Sequence, residues 1–370
     1  MKKVLFFKPR VNVIEGGLGG NIKVCNSLSN FFDVHLVNFF EEKCVFDISS
    51  KVKQYVILKN EVRMRYAIFK VLINFRKYVK ANNIELIISE TRQFLFLVYI
   101  VTIGLNVKIL YHNHFSILEF LNLQKNNKDL KEKVLNMINS FIEKKITGII
   151  VLTESDKQTY VNLGVKKEKL SKIYNWIDEK LLKNTLREYS VNSKQIITVG
   201  RIDYPKGYEY LIEVAKLVFA KHPDWQWHIY GDGETEYKNK IIDLIKRNNL
   251  QSHVILMGNR SDIYDLYQKY SFYVMTSRYE GLPMVLLEAK AKKLPIVSFD
   301  INSGPSDIVR DGIDGFLVKP FDCQNMADKI CELIENPELR QKFSDNAHGN
   351  IDKFSKEKII KQWCDLIDGL

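Results

Sequence analysis

Disulfide-forming potential is the first thing this chain has little of. Its five cysteines, Cys25, Cys44, Cys323, Cys331 and Cys364, are odd in number, scattered, and without C-x-x-C spacing. A disulfide framework or a zinc site is therefore not expected, and a reducing cytosol is the natural compartment. A long hydrophobic run is also missing. Residues 94–105 form the longest, about a dozen positions against the roughly 20 that a spanning helix needs. The amino terminus, MKKVLFF, passes straight into a strand-like stretch with no cleavage site, which argues against a signal peptide. No low-complexity tract or short internal repeat is visible. With 46% apolar and 27% charged residues the composition is that of a folded protein. A chain of 370 residues is too long for one ordinary core and suits two domains of about 180 residues each.

Acidic residues are scarce in the first half. Residues 1–190 carry 31 Lys and Arg against 18 Asp and Glu, a net of +13; the remaining 180 residues carry 24 against 26, a net of −2. Such asymmetry suggests that the first half faces something anionic, such as a membrane leaflet or a lipid-linked phosphate. A merely solubilising lysine-rich surface would look the same. A nucleic-acid partner is not expected, because the aromatic-basic motifs of such proteins are missing.

The apolar patterning alternates strand and helix. In the first half VLFFKP, DVHLVNFF, LIISE, VKILYH, GIIVLT and SKIYNW read as strands, separated by helical segments that include residues 61–81. That helix has an apolar stripe with most of its cations off it, a pattern shared by core-packed helices and by helices lying on anionic membranes. The run FLFLVYIVTIGL reads as a buried helix. A polar, aperiodic stretch at 181–194 reads as the linker. Then QIITVGR, WQWHIYG, HVILMG, FYVMTS, LPIVSF and GFLV start a second alternating series. Two doubly wound parallel sheets follow, with domains at 1–185 and 195–355. A last helix at 356–370 is expected to pack back on the first domain.

Chemistry concentrates in the second half. Val199, Gly200 and Arg201 end a strand, and Lys206 and Gly207 precede a helix that begins at Tyr208. Strand, loop and helix together present backbone N–H groups and a positive dipole to a phosphate. Arg201 can supply a bidentate fork and Lys206 a point charge, which together match a diphosphate. Gly231 and Gly233 in YGDGE let backbone approach a nucleotide closely at a strand's carboxyl end. In YEGLPMVLLE, Glu280 and Glu288 stand eight positions apart, with Gly281, Leu282 and Pro283 between. If Pro283 opens the helix and Glu280 lies in the entry loop, the two carboxylates can bracket a ligand across the helix N-terminus. Ser306 reads as a helix N-cap, and Ser261 and Asp262 are equal candidates to cap another helix. His112 and His114 follow the strand KILY at a position expected to be exposed. The Gly312-x-x-Gly315 turn reads as structural. A glycine loop at 16–20 superficially suggests a dinucleotide fingerprint, yet no G-x-G-x-x-G can be read there. No D-x-D occurs in a suitable strand-end loop, and no metal site is expected.

These motifs, strongest over residues 195–318, resemble those of the retaining glycosyltransferases of family 4, the group 1 glycosyltransferases of the GT-B fold. The resemblance implies two Rossmann-like domains facing a central cleft, acceptor-binding first and donor-binding second. It implies a hexosyltransferase that is retaining and metal-independent, with a nucleotide sugar as co-substrate and no other cofactor. Glu288 would accept hydrogen bonds from ribose hydroxyls, and the backbone of Gly281, Leu282 and Pro283 would meet the sugar or its phosphate. Asn259 would lie beside the nucleobase, and Gly17 and Gly19 would close over the donor phosphate. Glu280 and His112 would position the transferred hexose, with His114 the alternative to His112. Tyr174, Asn175, Thr153, Glu154 and Ser155 resemble stretches near the cleft and are equally readable as structural. The GPSD wording at 304–307 resembles transferases that use UDP-hexoses, such as those of galactose, glucose and their N-acetylamino forms. The acceptor would be a lipid-diphosphate-linked glycan or oligosaccharide at the inner leaflet, in bacterial lipopolysaccharide or capsule synthesis. A catalytically silent partner subunit, or a GT-B nucleotide-sugar epimerase, is the alternative.

Overall fold

The structure, a computed structural model, describes residues 1–11, 18–42, 44, 46–58, 64–125, 129–183, 189 and 191–370, with the side chains of 18–21, 64–66, 123–125 and 183 left aside. The chain divides into two compact units, Met1–Asn175 with Glu357–Leu370, and Trp176–Lys356.

Unit 1 is built on β1 (Lys3–Phe7), β2 (Asp33–Phe40), β3 (Lys53–Leu58), β4 (Leu86–Ser89), β5 (Lys108–His112), β6 (Gly148–Val151) and β7 (Leu170–Lys172). They pair in parallel in the order β3-β2-β1-β4-β5-β6-β7. Its helices are α1 (Leu18–Leu28), α2 (Met64–Ala81), α3 (Leu95–Thr102), α4 (Ile117–Lys125), α5 (Leu130–Lys145) and α6 (Glu154–Asn162). The central strands are buried along nearly their whole length, which is why they read as continuous apolar runs rather than alternations. Leu5, Phe7, Ile87, Ile109 and Ile149 share one buried cluster with Val71 and Phe75 of α2, Val98 of α3, Ile142 of α5 and Tyr160 of α6. Alternate residues point the other way: the Phe6 ring lies 6.3 Å from that of Trp363 in the C-terminal helix (Lys356–Asp368). That helix buries Ile359, Ile360, Trp363 and Ile367 along one stripe, and Lys2 Nζ donates to the Ile367 carbonyl at 2.6 Å.

The strand KQYVIL, now β3, has no counterpart among the strands read from sequence. It is an edge strand whose first residues, Lys53 and Gln54, are exposed, so its apolar signal is weak. The boundary also differs from the polar stretch at 181–194. Trp176, Ile177 and Leu181 are already buried, and Ile177 N–H donates to the Phe354 carbonyl at 3.0 Å, which ties this segment into unit 2.

Unit 2 carries β8 (Gln195–Val199), β9 (Gln226–Tyr230), β10 (Val254–Gly258), β11 (Phe272–Met275), β12 (Ile296–Phe299) and β13 (Gly315–Val318), parallel in the order β10-β9-β8-β11-β12-β13. Around them lie α7 (Glu179–Lys183), α8 (Tyr208–Lys221), α9 (Thr235–Arg247), α10 (Ile263–Leu266), α11 (Met284–Ala291), α12 (Pro305–Ile308), α13 (Cys323–Glu335) and α14 (Pro337–Asn346). Lys290 of α11 is buried and held by Asp314 at 2.7 Å, and Asp314 also accepts from Arg310 at 2.7 Å. Burial lowers the Lys290 ammonium to about 8, against the opposing pull of Asp314. Both units are thus α/β and doubly wound.

Candidate active site

In open parallel sheets ligands collect at the carboxyl ends of the strands. In unit 2 the loops leaving β8, β9, β11 and β12 are bound to one another there. After β8 the chain forms a single 3₁₀ turn, Tyr204–Lys206, and then Gly207 at φ +64° caps α8. A Cβ at Gly207 would strike the Thr276 carbonyl oxygen, so this turn can lie against the loop after β11 only because residue 207 is glycine. Arg278 N–H donates to the Pro205 carbonyl at 2.7 Å, and Thr276 Oγ1 to that of Lys206 at 3.3 Å.

This lacing places Lys206 Nζ 2.6 Å from Glu280 Oε1, with only 23% and 13% of the two side chains exposed. Ser277 Oγ donates to the same carboxylate oxygen at 2.7 Å. Arg201 is more exposed and pairs with Asp203 at 3.1 Å. Burial raises the Asp203 carboxyl, opposed by Arg201 and Lys206, and its Oδ1 is closed from solvent with no hydrogen-bond partner among the described residues. Sequence reasoning does not single out Asp203. Its signal is its place two residues beyond Arg201, in the turn that carries Lys206.

Glu280 lies in the loop and Pro283 caps α11, so the two carboxylates flank the start of that helix. Pro283 offers no side-chain cap, and Leu286 N–H is taken by the Pro283 carbonyl at 3.0 Å, which leaves the first two N–H groups of the helix, those of Met284 and Val285, as the ones that can meet an anion. Tyr267 OH donates to Glu288 Oε2 at 2.9 Å, a partner with no signal in the local motif. Leu282 and Pro283 are buried and Gly281 is half-buried. Ser303 Oγ donates to the Gly281 carbonyl at 3.0 Å, and Gly304, at φ +103°, packs so closely on the Pro283 ring that a Cβ would collide with it. The GPSD loop therefore buttresses the start of α11. Gly304, not Ser306, is the cap residue of α12, because Pro305 already occupies the first helical turn.

Gly231 and Gly233 have a packing role besides any ligand contact. A Cβ at Gly231 would overlap the Gly200 carbonyl and one at Gly233 that of Ile202, while Ile202 N–H donates to the Asp232 carbonyl at 2.9 Å. The loops after β8 and β9 are thereby pressed together. Asn259 is exposed just past β10, and Asp262 precedes α10 without a side-chain cap, its carboxylate taken by Arg260 at 2.7 Å.

Three expected residues belong to unit 1. Gly17 lies outside the described residues, and Gly19 falls in the first turn of α1. His112 ends β5 but is buried, not exposed: its ring lies 3.9 Å from that of His114 and 5.1 Å from that of Trp363. Burial, then His114, holds the His112 imidazole well below its ordinary value, and burial with the Lys8 charge lowers His114 to about 3. The ring nitrogens of both have no hydrogen-bond partner among the described residues. Thr153 caps α6 by accepting from Asp156 N–H.

With this geometry in place, residues 183–349 match the family described as "Glycosyl transferases group 1" and residues 32–181 the one described as "Glycosyltransferase Family 4". An uncharacterized glycosyltransferase of Haemophilus influenzae is 27% identical over 369 residues, covering 99% of this chain and 100% of its own. The poly(ribitol-phosphate) alpha-N-acetylglucosaminyltransferase of Staphylococcus aureus is 34% identical over 60% of this chain, which spans only 44% of that relative. The amylovoran biosynthesis glycosyltransferase of Erwinia amylovora is 30% identical over 60% of this chain and 62% of its own length. Among solved structures, Anabaena HepE in complex with UDP and glucose superposes over 100% of both chains, with a TM-score of 0.79 at 19% identity. A mutant of S. aureus TarM in complex with Fondaparinux, alpha-GlcNAc-glycerol and UDP gives 0.77 at 20% identity over 99% of both. At those identities the likeness shows a shared fold, the GT-B fold.

Proposed function

As a member of the group 1 glycosyltransferases, of glycosyltransferase family 4, this chain is a glycosyltransferase, and we propose that it moves a hexose from a UDP-hexose with retention of anomeric configuration. The acceptor in this reading is a glycan or a lipid-diphosphate-linked sugar, in bacterial cell-surface polysaccharide synthesis such as that of lipopolysaccharide or capsule. The observation that carries the reading is the contact of Lys206 with Glu280 at 2.6 Å, beside the uncapped start of α11. A diphosphate carries more charge than one carboxylate and is the stronger partner for the ammonium. Its arrival takes Lys206 and releases Glu280 to accept from the hydroxyls of the hexose.

The reaction then needs little covalent chemistry from the protein. The bond from C1 to the diphosphate oxygen breaks and its electron pair leaves with UDP. The acceptor oxygen bonds C1 on the same face, and its proton passes to the departing phosphate oxygen. Arg201, Lys206 and the first-turn amides of α11 stabilise the charge that develops on the leaving group. Glu288, oriented by Tyr267, accepts from the ribose hydroxyls. Neutralisation by these groups makes the reaction metal-independent in this reading, and no cofactor beyond the nucleotide sugar takes part. The choice of UDP is supported by the GPSD loop and by the UDP bound to HepE and TarM. The polysaccharide setting is supported by the activities of the S. aureus and E. amylovora relatives.

Thermal stabilisation by UDP, GDP and ADP, with EDTA present, tests the reading. UDP should raise the melting temperature most, and Arg201→Ala should abolish the rise. Absence of stabilisation by any of the three would overturn the proposal.

A further inference from the structure

The helices on one face of the unit 1 sheet leave an outer surface that the transfer reaction does not use. α5 buries Asn139, Ile142 and Glu143 toward the fold. Its opposite side turns Leu130, Val134, Met137, Ile138 and Phe141 to solvent, with exposures of 74%, 44%, 68%, 40% and 59%. Their spacing of three and four residues puts them on one stripe, about 17 Å long from Leu130 to Phe141 at about 1.5 Å per residue. Monomeric proteins rarely leave such a stripe uncovered. Lys131, Lys133, Lys144 and Lys145 flank it and are exposed, and the Lys145 ammonium lies 5.3 Å from the Phe141 ring centroid. Of the two acids of α5, Glu143 lies on the inner side, held by Arg92 at 2.7 Å, and Glu132 is exposed on the side of the helix away from the stripe, so the lysines dominate the charge along it.

The neighbouring helices continue the pattern. α3 packs between α2 and α5 and exposes Ile100, with Ile103 just beyond its end. α2 exposes Phe69 and Ile73, and its sequence carries five Lys and Arg with no acid. From sequence that helix is open between core and membrane. It serves both, since Val71, Phe75 and Val79 line the core and the reverse side faces solvent.

We propose that the outer face of α2, α3 and α5 docks on an anionic lipid bilayer, α5 lying in the interface with its apolar stripe among the acyl chains and its lysines at the headgroups. The charge decides the occupant. A second copy of this chain would bring the same lysines against themselves, whereas anionic headgroups complement them. No helix among the described residues is long and apolar enough to cross a membrane, so the contact is one of lying on the surface. This surface stands independently of the transfer reaction and needs neither donor nor acceptor to be tested.

The test is flotation of the full chain with phosphatidylglycerol/phosphatidylcholine vesicles and with pure phosphatidylcholine vesicles. Binding should appear with the anionic vesicles and weaken at least about tenfold between roughly 0.1 and 0.5 M salt, as screening requires. Met137→Ser with Phe141→Ser should lose binding at least tenfold while keeping the wild-type melting temperature and UDP response. Lys131→Glu with Lys133→Glu should do the same. Absence of binding by the wild-type chain, or binding unchanged in both double variants, overturns the proposal. So does a dimer that the serine variant dissociates while no vesicle is bound, which would make the face a self-interface. Because the UDP response is read on the same samples, a failed glycosyltransferase reading and a failed membrane reading give different results.

Discussion

Replacing Lys206 with alanine is the perturbation with the largest expected consequence. Two effects separate. In the free protein the change removes the cation from a carboxylate that is only 13% exposed, leaving Glu280 with Ser277 at 2.7 Å. A charge-assisted hydrogen bond contributes about 1.5–3 kcal/mol. With the ammonium about a quarter exposed, solvent screening reduces that to about 1–2 kcal/mol. A domain of this size then loses about 2–8 °C in melting temperature. In the reaction the same change removes one preorganised partner of the leaving diphosphate, for which a fall of about 10²–10³ in kcat is expected. Continuous detection of UDP release measures this, against a Lys206→Arg control that keeps the charge. Glu280→Gln sharpens the reasoning, because it removes the carboxylate that competes for Lys206. UDP should bind Glu280→Gln several-fold more tightly while transfer falls. Turnover of Lys206→Ala within about fivefold of wild type, or weaker UDP binding by Glu280→Gln, would reduce the pair to an ordinary salt bridge and refute the exchange.

Further expectations rest on other parts of unit 2. Gly233→Ala places a methyl group inside the Ile202 carbonyl and should force the loops after β8 and β9 apart, seen as lost UDP stabilisation in a chain whose circular dichroism is unchanged. Asp314→Asn leaves Lys290, 1% exposed, without its counter-charge and should cost about 3–5 kcal/mol by urea unfolding. Burial alone would raise the Glu209 carboxyl, but hydrogen bonds from Tyr237 and Lys240 and the Arg278 charge hold it at about 2, below its usual 4.5. Because the folded value is the lower one, this stabilisation is complete above pH 4.5 and is lost as pH falls through 2. Solvent around the exposed Lys240 screens part of it, leaving about 1–2 kcal/mol, and Glu209→Gln should flatten the acid limb of the stability profile in that window.

Local order along the chain is the legible part. The helix beginning at Tyr208, the helix following Pro283 and the last helix from Lys356 all announce themselves through a glycine or proline boundary or an apolar stripe. Buried parallel strands such as β4 and β6 read as unbroken apolar runs. The edge strand β3 does not, because its exposed half is polar. Long-range contacts are the illegible part. Lys206 meets Glu280 across 74 residues, and nothing in either motif says that the ammonium rests on the carboxylate. Tyr267 reaches Glu288 from a separate helical turn. His112 looks exposed from its strand-end position, and what buries it includes Trp363, from the far end of the sequence. Motif spacing carries residue types to the end of a strand. Which partner holds each of them there is decided by packing between distant segments.

The most direct single measurement is early-time proton NMR of the free sugar formed as the enzyme slowly turns UDP-α-hexose over to water. If the departing diphosphate and the incoming oxygen share one face of the ring, the α anomer accumulates first, ahead of its own mutarotation. First appearance of the β anomer would contradict the account.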